Sequence, residues 1–118
     1  MNINEIANGF ITLCASGKLE EAQKYWSDEI VSIEGFPGPM QVCRGREAVL
    51  KKQAIWGEGT TMHGITCEGP FINGEQFAAR FQLDCTNAEG ERSTMTEMAV
   101  YTVENGAIVQ ERFFPTVS

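Results

Sequence analysis

The stretch that most restricts how this chain can fold is residues 95–115, Met95-Thr96-Glu97-Met98-Ala99-Val100-Tyr101-Thr102-Val103-Glu104-Asn105-Gly106-Ala107-Ile108-Val109-Gln110-Glu111-Arg112-Phe113-Phe114-Pro115. Two runs rich in β-branched and aromatic residues flank Asn105-Gly106, the dipeptide that most favours a tight hairpin turn. Carboxylates stand among the apolar side chains at Glu97 and Glu111. A curved sheet with acids facing an apolar cavity follows from that pattern.

Whether the two acids share a face depends on the turn. A two-residue Asn105-Gly106 loop pairs Glu104 with Ala107 and Val103 with Ile108, which sends Glu97 and Glu111 to opposite sides. A three-residue loop with Gly106 left-handed in a bulge pairs Val103 with Ala107 and Ala99 with Glu111. Glu97, Ala99, Tyr101, Val109, Glu111 and Phe113 then line one face, and Met98, Val100, Ile108 and Arg112 the other. The second register is favoured because it gathers Tyr101 and Phe113 on one side. Two carboxyls beside aromatic rings hold their protons to higher pH through desolvation and mutual repulsion. Such groups serve as general acids or bases. The alternative is that Glu97 or Glu111 is solvated or paired with Arg92 or Arg112.

Upstream, apolar residues at Ile3, Ile6, Ala7, Phe10, Leu13 and Cys14 recur with helical spacing, with Asn2 or Asn4 as a cap and Gly17 as a stop. A second short helix fits Lys18 to Trp26, followed by a β-branched strand, Ile30 to Glu34. Two prolines and two glycines make 35–39 a loop. Gly45 to Gly57 predicts a third helix, with Ala48, Val49, Lys52 and Ile55-Trp56 on a mixed face. Beyond it the pattern alternates: Thr61 to Glu68, a short strand and turn through Gly74, and Glu75 to Thr86 with Phe77, Ala79, Phe81, Leu83 and Cys85 on one face. The order predicts an α+β domain over residues 1–118, with helices on one side of an antiparallel sheet.

The 16 acids and 9 bases give a net charge of −7, which argues against a nucleic-acid partner, because phosphate binding needs clustered Lys and Arg. Four widely spaced cysteines and one histidine give no zinc-type spacing, so no metal is expected, and reduced core thiols suit a cytoplasmic protein. No signal peptide is visible at the N-terminus, and no apolar run approaches the ~20 residues needed to span a bilayer, so no membrane role is expected. Phosphate-loop, dinucleotide and serine-hydrolase motifs are absent, and no cofactor is expected.

Four residues are candidates for chemistry: Glu34, His63, Glu97 and Glu111. Glu34 ends the first strand at the mouth of a cavity. His63 lies in an alternating strand with Ile65 and Cys67 on its side, and is the one side chain that normally titrates near neutrality. Its alternative is a core histidine. Tyr25 and Trp26 read as core or pocket lining. With Trp56, Phe81, Tyr101 and Phe113 they make up the aromatic part of the expected ligand site.

The order helix, helix, strand, helix and curved sheet resembles the SnoaL-like branch of the nuclear transport factor 2-like superfamily. The residues that carry the likeness are Ala15-Ser16-Gly17-Lys18-Leu19-Glu20, Tyr25-Trp26-Ser27-Asp28-Glu29, Gly45-Arg46-Glu47-Ala48, Glu68-Gly69-Pro70-Phe71 and 101–109. The resemblance implies three N-terminal helices packed into a strongly curved mixed or antiparallel sheet, a cone with an apolar pocket, as in ketosteroid isomerase and scytalone dehydratase. In ketosteroid isomerases an aspartate base falls at Glu34, which keeps a carboxylate. The oxyanion tyrosine falls at Phe10 and the oxyanion aspartate at Ala99, so both donors are missing, at a cost on the order of 3 kcal/mol each. SnoaL-type cyclases use a pocket acid with a nearby histidine, a role open here to Glu97, Glu111 and His63. Phe10 and Ala99 are expected to contact ligand.

Fold does not fix chemistry in this superfamily. Three functions stay open: a cofactor-free isomerase, cyclase or dehydratase moving a proton on a small hydrophobic carbonyl compound; a non-catalytic small-molecule binder; and an interaction domain. A homodimer through the outer sheet face, with Arg80, Gln82, Met98, Val100 and Ile108, is also expected.

Overall fold

A computed structural model describes residues 1–116; Val117 and Ser118, the end of the expected domain, lie outside the described residues. Helix α1 spans Ile3–Ala15 and begins at a capping box in which the Asn2 side chain accepts from the Glu5 backbone and Glu5 reaches back to the Asn2 N–H. Its apolar face buries Ile6, Ala7, Phe10, Ile11 and Cys14. The expected second helix is shorter than predicted. Helix α2 covers Leu19–Ala22 and passes into a single 3-10 turn, Gln23–Tyr25. Trp26 then starts strand β1, Trp26–Ile33.

A short strand not anticipated from the sequence, β2 (Val42–Arg44), pairs antiparallel with β1. Three residues carry too little periodicity to read, and tertiary pairing makes this strand. Helix α3 is Arg46–Gly57, and β3 (Thr61–Asn73), β4 (Gln76–Thr86), β5 (Arg92–Glu104) and β6 (Ala107–Pro115) complete the chain. The sheet order is β2-β1-β6-β5-β4-β3, with β1 parallel to β6 and the remaining neighbours antiparallel. It is therefore the mixed alternative and not the antiparallel sheet that the strand pattern predicts, because β1 and β6 run parallel; α1 and α3 cover its inner face.

The hairpin settles the register question in an unexpected way. Asn105 and Gly106 both have positive φ (51° and 78°), the two-residue turn, and Val103 pairs with Ile108. A register shift then falls inside the ladder, between Thr102 and Val103, so Tyr101 pairs with Glu111 and Ala99 with Phe113. The bulge lies along β6 instead of in the turn. The favoured face survives for Glu97, Ala99, Tyr101, Glu111 and Phe113, but the Ala99–Glu111 pairing does not. Ile108, expected outside, is fully buried on the core side of the bulge.

The core joins α1 to the inner face of β4 and β5. Phe77 and Tyr101 stack at 4.8 Å between ring centroids, and Phe10 meets both edge-on at 6.2 and 4.9 Å. Phe10, read as a ligand contact, is thus part of the central aromatic stack.

Candidate functional site

Helix α3 is pinned at its start. Arg46 donates to the carbonyls of Gln23 and Trp26, at 3.1 and 2.8 Å, and pairs with Asp28 at 3.1 Å. Of its side chains only Val49 and Lys52 are buried. That anchoring brings Lys52, 8 % exposed, over the inner face of β1 and β6. Its ammonium donates to Glu34 Oε2 at 2.7 Å and to Ser32 Oγ. It also lies 5.5 Å from the Phe113 ring centre. Ser32 in turn donates to Glu111 Oε2 at 2.7 Å. The result is a polar chain, Glu34–Lys52–Ser32–Glu111, running from the half-exposed end of β1 to a carboxyl only 2 % exposed.

Glu34 is held in place by a close approach of two chain segments. A Cβ on Gly35 would lie 2.5 Å from Pro115 Cδ and 3.1 Å from the Phe113 carbonyl, so only glycine lets the end of β1 pack against the end of β6. The Glu34 N–H donates to the Gln41 carbonyl at 2.8 Å.

Glu97 faces the same site from β5, paired across the ladder with Phe81 on one side and Pro115 on the other. Burial, then the charges of Glu34 and Glu111, push its carboxyl up to about 7, against a smaller opposing pull from Lys52. Burial also raises Glu111, while the Ser32 hydrogen bond and Lys52 pull it back down. The Tyr101 hydroxyl is held well above the usual phenol range by burial and by Glu111. On the α1 side, burial pushes the Cys14 thiol up to about 12. A carboxyl that titrates at neutrality, a second buried carboxyl and a buried ammonium therefore meet on one inner face.

Of the four candidates for chemistry, the structure brings together Glu34, Glu97 and Glu111. His63 is not with them. A register shift between Met62 and Gly64 makes His63 the extra residue of a bulge, so the alternation that put it beside Ile65 and Cys67 breaks one residue too early. The imidazole is exposed and bonds Thr86 Oγ1 at 2.7 Å, next to the exposed Asp84–Arg92 pair. The residue missed is Lys52. The sequence puts it on a mixed helical face with Val49, and once that face is buried a lysine there requires a charged or polar partner.

Among the aromatic candidates, Phe81 and Phe113 face the acid cluster and Tyr101 sits between it and the core. Ala99, fully buried, lies between Glu97 and Tyr101 on β5. Trp26 is a core residue whose indole Nε1 has no hydrogen-bond partner among the described residues, with Arg46 5.7 Å from its ring centre. Tyr25 packs its hydroxyl over Gly9 on the other side of α1. Trp56 is 46 % exposed, one turn beyond Lys52 on α3, outside the cluster.

Two surface hollows lie away from the acids. One of about 260 Å³ is bounded by Met1, Ile3, 74–75 and 103–106; the other, about 370 Å³, by Asn8, Gly9, Thr12, Leu13, Lys24 and Tyr25. Neither is the pocket implied by the carboxyls. Among the described residues no three His, Cys, Asp or Glu side chains are arranged to hold a metal ion, and no helix is long and apolar enough to cross a membrane.

Helices packed on a mixed sheet ordered β2-β1-β6-β5-β4-β3 are the architecture of a cystatin-like fold. Within it, the chain belongs to the SnoaL-like domain family, whose sequence profile matches residues 1–115. A Mesorhizobium loti protein, described as a candidate SnoaL-like polyketide cyclase and also with the words carbohydrate phosphatase, is 45 % identical, with 97 % of this chain and 99 % of that one covered and a TM-score of 0.91. A candidate isomerase from Bacillus subtilis shares 16 % identity over 98 % of this chain and 90 % of its own, TM-score 0.79. A Xanthomonas campestris protein of unknown function with a cystatin-like fold shares 17 % over 99 % and 92 %, TM-score 0.80. These last two share the fold alone. No curated protein matches the chain.

Proposed function

We propose that this protein transfers protons on a small hydrophobic carbonyl compound, with Glu97 as the group that takes and returns the proton. The observation that carries this reading is a largely buried carboxyl whose ionisation is moved to about 7 by burial and two neighbouring acids. Near neutral pH such a group is present in both forms, the condition under which a general acid–base works best. Glu111 keeps its environment polar and is itself held by Ser32. The ligand enters where Glu34 and Glu97 are part-exposed and where Phe81 and Phe113 supply apolar walls. Isomerisation, cyclisation and dehydration all begin with this proton transfer, and the cyclase wording attached to the Mesorhizobium loti relative fits that class.

The test uses a panel of small aryl and cyclic ketones in deuterium oxide, with exchange at the α-carbon followed by proton NMR. Wild-type protein accelerates exchange with a midpoint near pH 7, and Glu97→Gln abolishes the acceleration. Saturable binding of a ketone with no exchange would instead make the protein a non-catalytic carrier, the reading in which the same polar groups only orient a ligand.

The outer face supports self-association as a second role. Met98 and Phe114, 41 % and 49 % exposed, are a cross-strand pair on that face, with Arg112 over the Phe114 ring at 5.8 Å. We propose a homodimer through these residues with Arg80 and Val100, without the buried Ile108. Sedimentation equilibrium gives twice the chain mass for wild type and the chain mass for a Met98→Glu, Phe114→Glu double variant; a monomeric wild type refutes it.

A further inference from the structure

Glu97 and Glu111 compete for one proton on the inner face, and burial alone gives it to Glu111, the more deeply enclosed of the two. The hydrogen bonds run the other way. An ammonium has donors only, and a serine hydroxyl has a single hydrogen. Lys52 donates to Ser32 Oγ, so the Ser32 hydrogen is left to point at Glu111 Oε2, 2.7 Å away. Oε2 is thereby fixed as an acceptor, the role an ionised carboxyl fills best, at a length usual for a hydroxyl donating to a carboxylate. Glu34 anchors Lys52 from the far side at 2.7 Å and keeps the ammonium from turning away. Every donor in the chain Glu34–Lys52–Ser32–Glu111 is thus directed, and both ends of the chain are acceptors. Ser32 is fully buried, so water does not compete for its hydroxyl. Glu97 is faced instead by charges, those of Glu34, Glu111 and Lys52.

We infer that Ser32 is a positioning residue: its one-way hydrogen bond keeps Glu111 ionised and leaves the exchangeable proton to Glu97. The catalytic meaning of this role rests on the proton-transfer reading; the order of protonation does not. The groups around Glu111 fit the assignment. Ser32 on β1 and Lys52 on α3 favour the ion, and Glu34 at the end of β1 opposes it. Glu97 and the un-ionised Tyr101 hydroxyl stand beside it on β5. From α1 the Cys14 thiol, pushed up to about 12, carries no charge at neutral pH, and burial likewise raises Cys67 on β3. An ionised Glu111 is in turn one of the two negative charges that hold the proton on Glu97. Without the Ser32 hydroxyl, Glu111 takes the proton first, its charge disappears, and Glu97 ionises more easily.

The experiment follows the Glu97 and Glu111 carboxyl carbons by NMR from about pH 4 to 9, with Glu97→Gln and Glu111→Gln assigning the two signals. In wild type Glu111 titrates below Glu97. Ser32→Ala reverses the order: the Glu97 midpoint falls by about one pH unit, that of Glu111 rises, and the pH midpoint of ketone exchange moves down with Glu97. Ser32→Thr, which keeps a hydroxyl, restores the wild-type order. In Glu111→Gln the Glu97 midpoint is already low, and adding Ser32→Ala moves it no further, because Ser32 acts through Glu111. The sign also separates Ser32 from Lys52, whose loss moves both carboxyls up. A wild-type Glu111 that titrates above Glu97 overturns the inference, even if Ser32→Ala fails to fold. So does a Glu97 midpoint that is unmoved or raised in folded Ser32→Ala. If wild type exchanges no ketone but the order reverses as stated, the positioning role stands and the proton-transfer reading falls. If exchange keeps its wild-type pH profile in Ser32→Ala, the positioning role falls and the proton-transfer reading stands.

Discussion

Two neighbouring stretches of one inner face are built on opposite principles. Around Phe10, Phe77 and Tyr101 the strands present rings that meet edge-on or stacked, with nothing charged between them. Four residues along β5 from Tyr101, past Ala99, the same pleat presents Glu97, and the partner of Tyr101 on β6 is Glu111. The first stretch lowers free energy through burial and dispersion. The second raises it, because carboxyls are withdrawn from water with only partial compensation from Ser32 and Lys52. That cost beside an apolar core is the physical basis of the proton-transfer site proposed above.

The contrast is broken most sharply in the aromatic stretch. Phe77→Ala is expected to destabilise the protein by about 3–5 kcal/mol, measured by urea unfolding, since the cavity opens beneath both Tyr101 and Phe10. In the acid stretch the sign reverses. The folded-state ionisation of Glu97 is raised from 4.5 to about 7, so the folded protein binds the proton more tightly than the unfolded chain across that window. Stability therefore falls as pH rises from 4.5 through 7, and the loss is complete above it. Glu97→Gln removes the penalty, and should stabilise the protein above neutrality by up to about 3 kcal/mol while leaving it unchanged at low pH. Thermal unfolding of both proteins across pH checks this.

Lys52→Met should cost about 1–3 kcal/mol, less than for a fully buried pair because Glu34 can turn to water, and should push the Glu97 and Glu111 carboxyls higher still. Chemical shifts of the carboxyl carbons report that rise. The smallest effect sharpens the boundary of the site. His63→Ala should change stability by less than about 0.5 kcal/mol and leave the Glu97 titration unmoved, since the imidazole is exposed and bonds Thr86.

Most of this fold was legible in the sequence because its signals are periodic. The α1 pattern ends at Gly17, the inner face of β4 alternates from Phe77 to Cys85, and Asn105-Gly106 fixes the hairpin. Irregularities were the unreadable part. The bulge along β6 restores a common face for Glu97 and Glu111 through pairing that no local residue signals, and it also turns Ile108 inward. The bulge at His63 turns the histidine outward, and with it went the proposed acid–histidine set. Lys52 was missed for a different reason. A lysine on a weakly amphipathic helix reads as solvated, and only the packing of α3, anchored by Arg46, reveals that it covers Ser32 and Glu34. Glu97 and Glu111 stand out in the sequence because a carboxylate inside an apolar strand breaks its pattern, and Glu34 because it closes the first strand just before the Pro/Gly loop.

The central claim is that Glu97 sits in a site which holds its proton to neutral pH. Carbon-13 NMR of the glutamate side-chain carboxyls, with Glu97→Gln to assign the resonance, measures it directly. A midpoint near 7 that moves upward in Lys52→Met is the predicted result. A midpoint near the ordinary 4.5 would mean that water reaches the carboxyl freely, and the proton-transfer site described here would not exist.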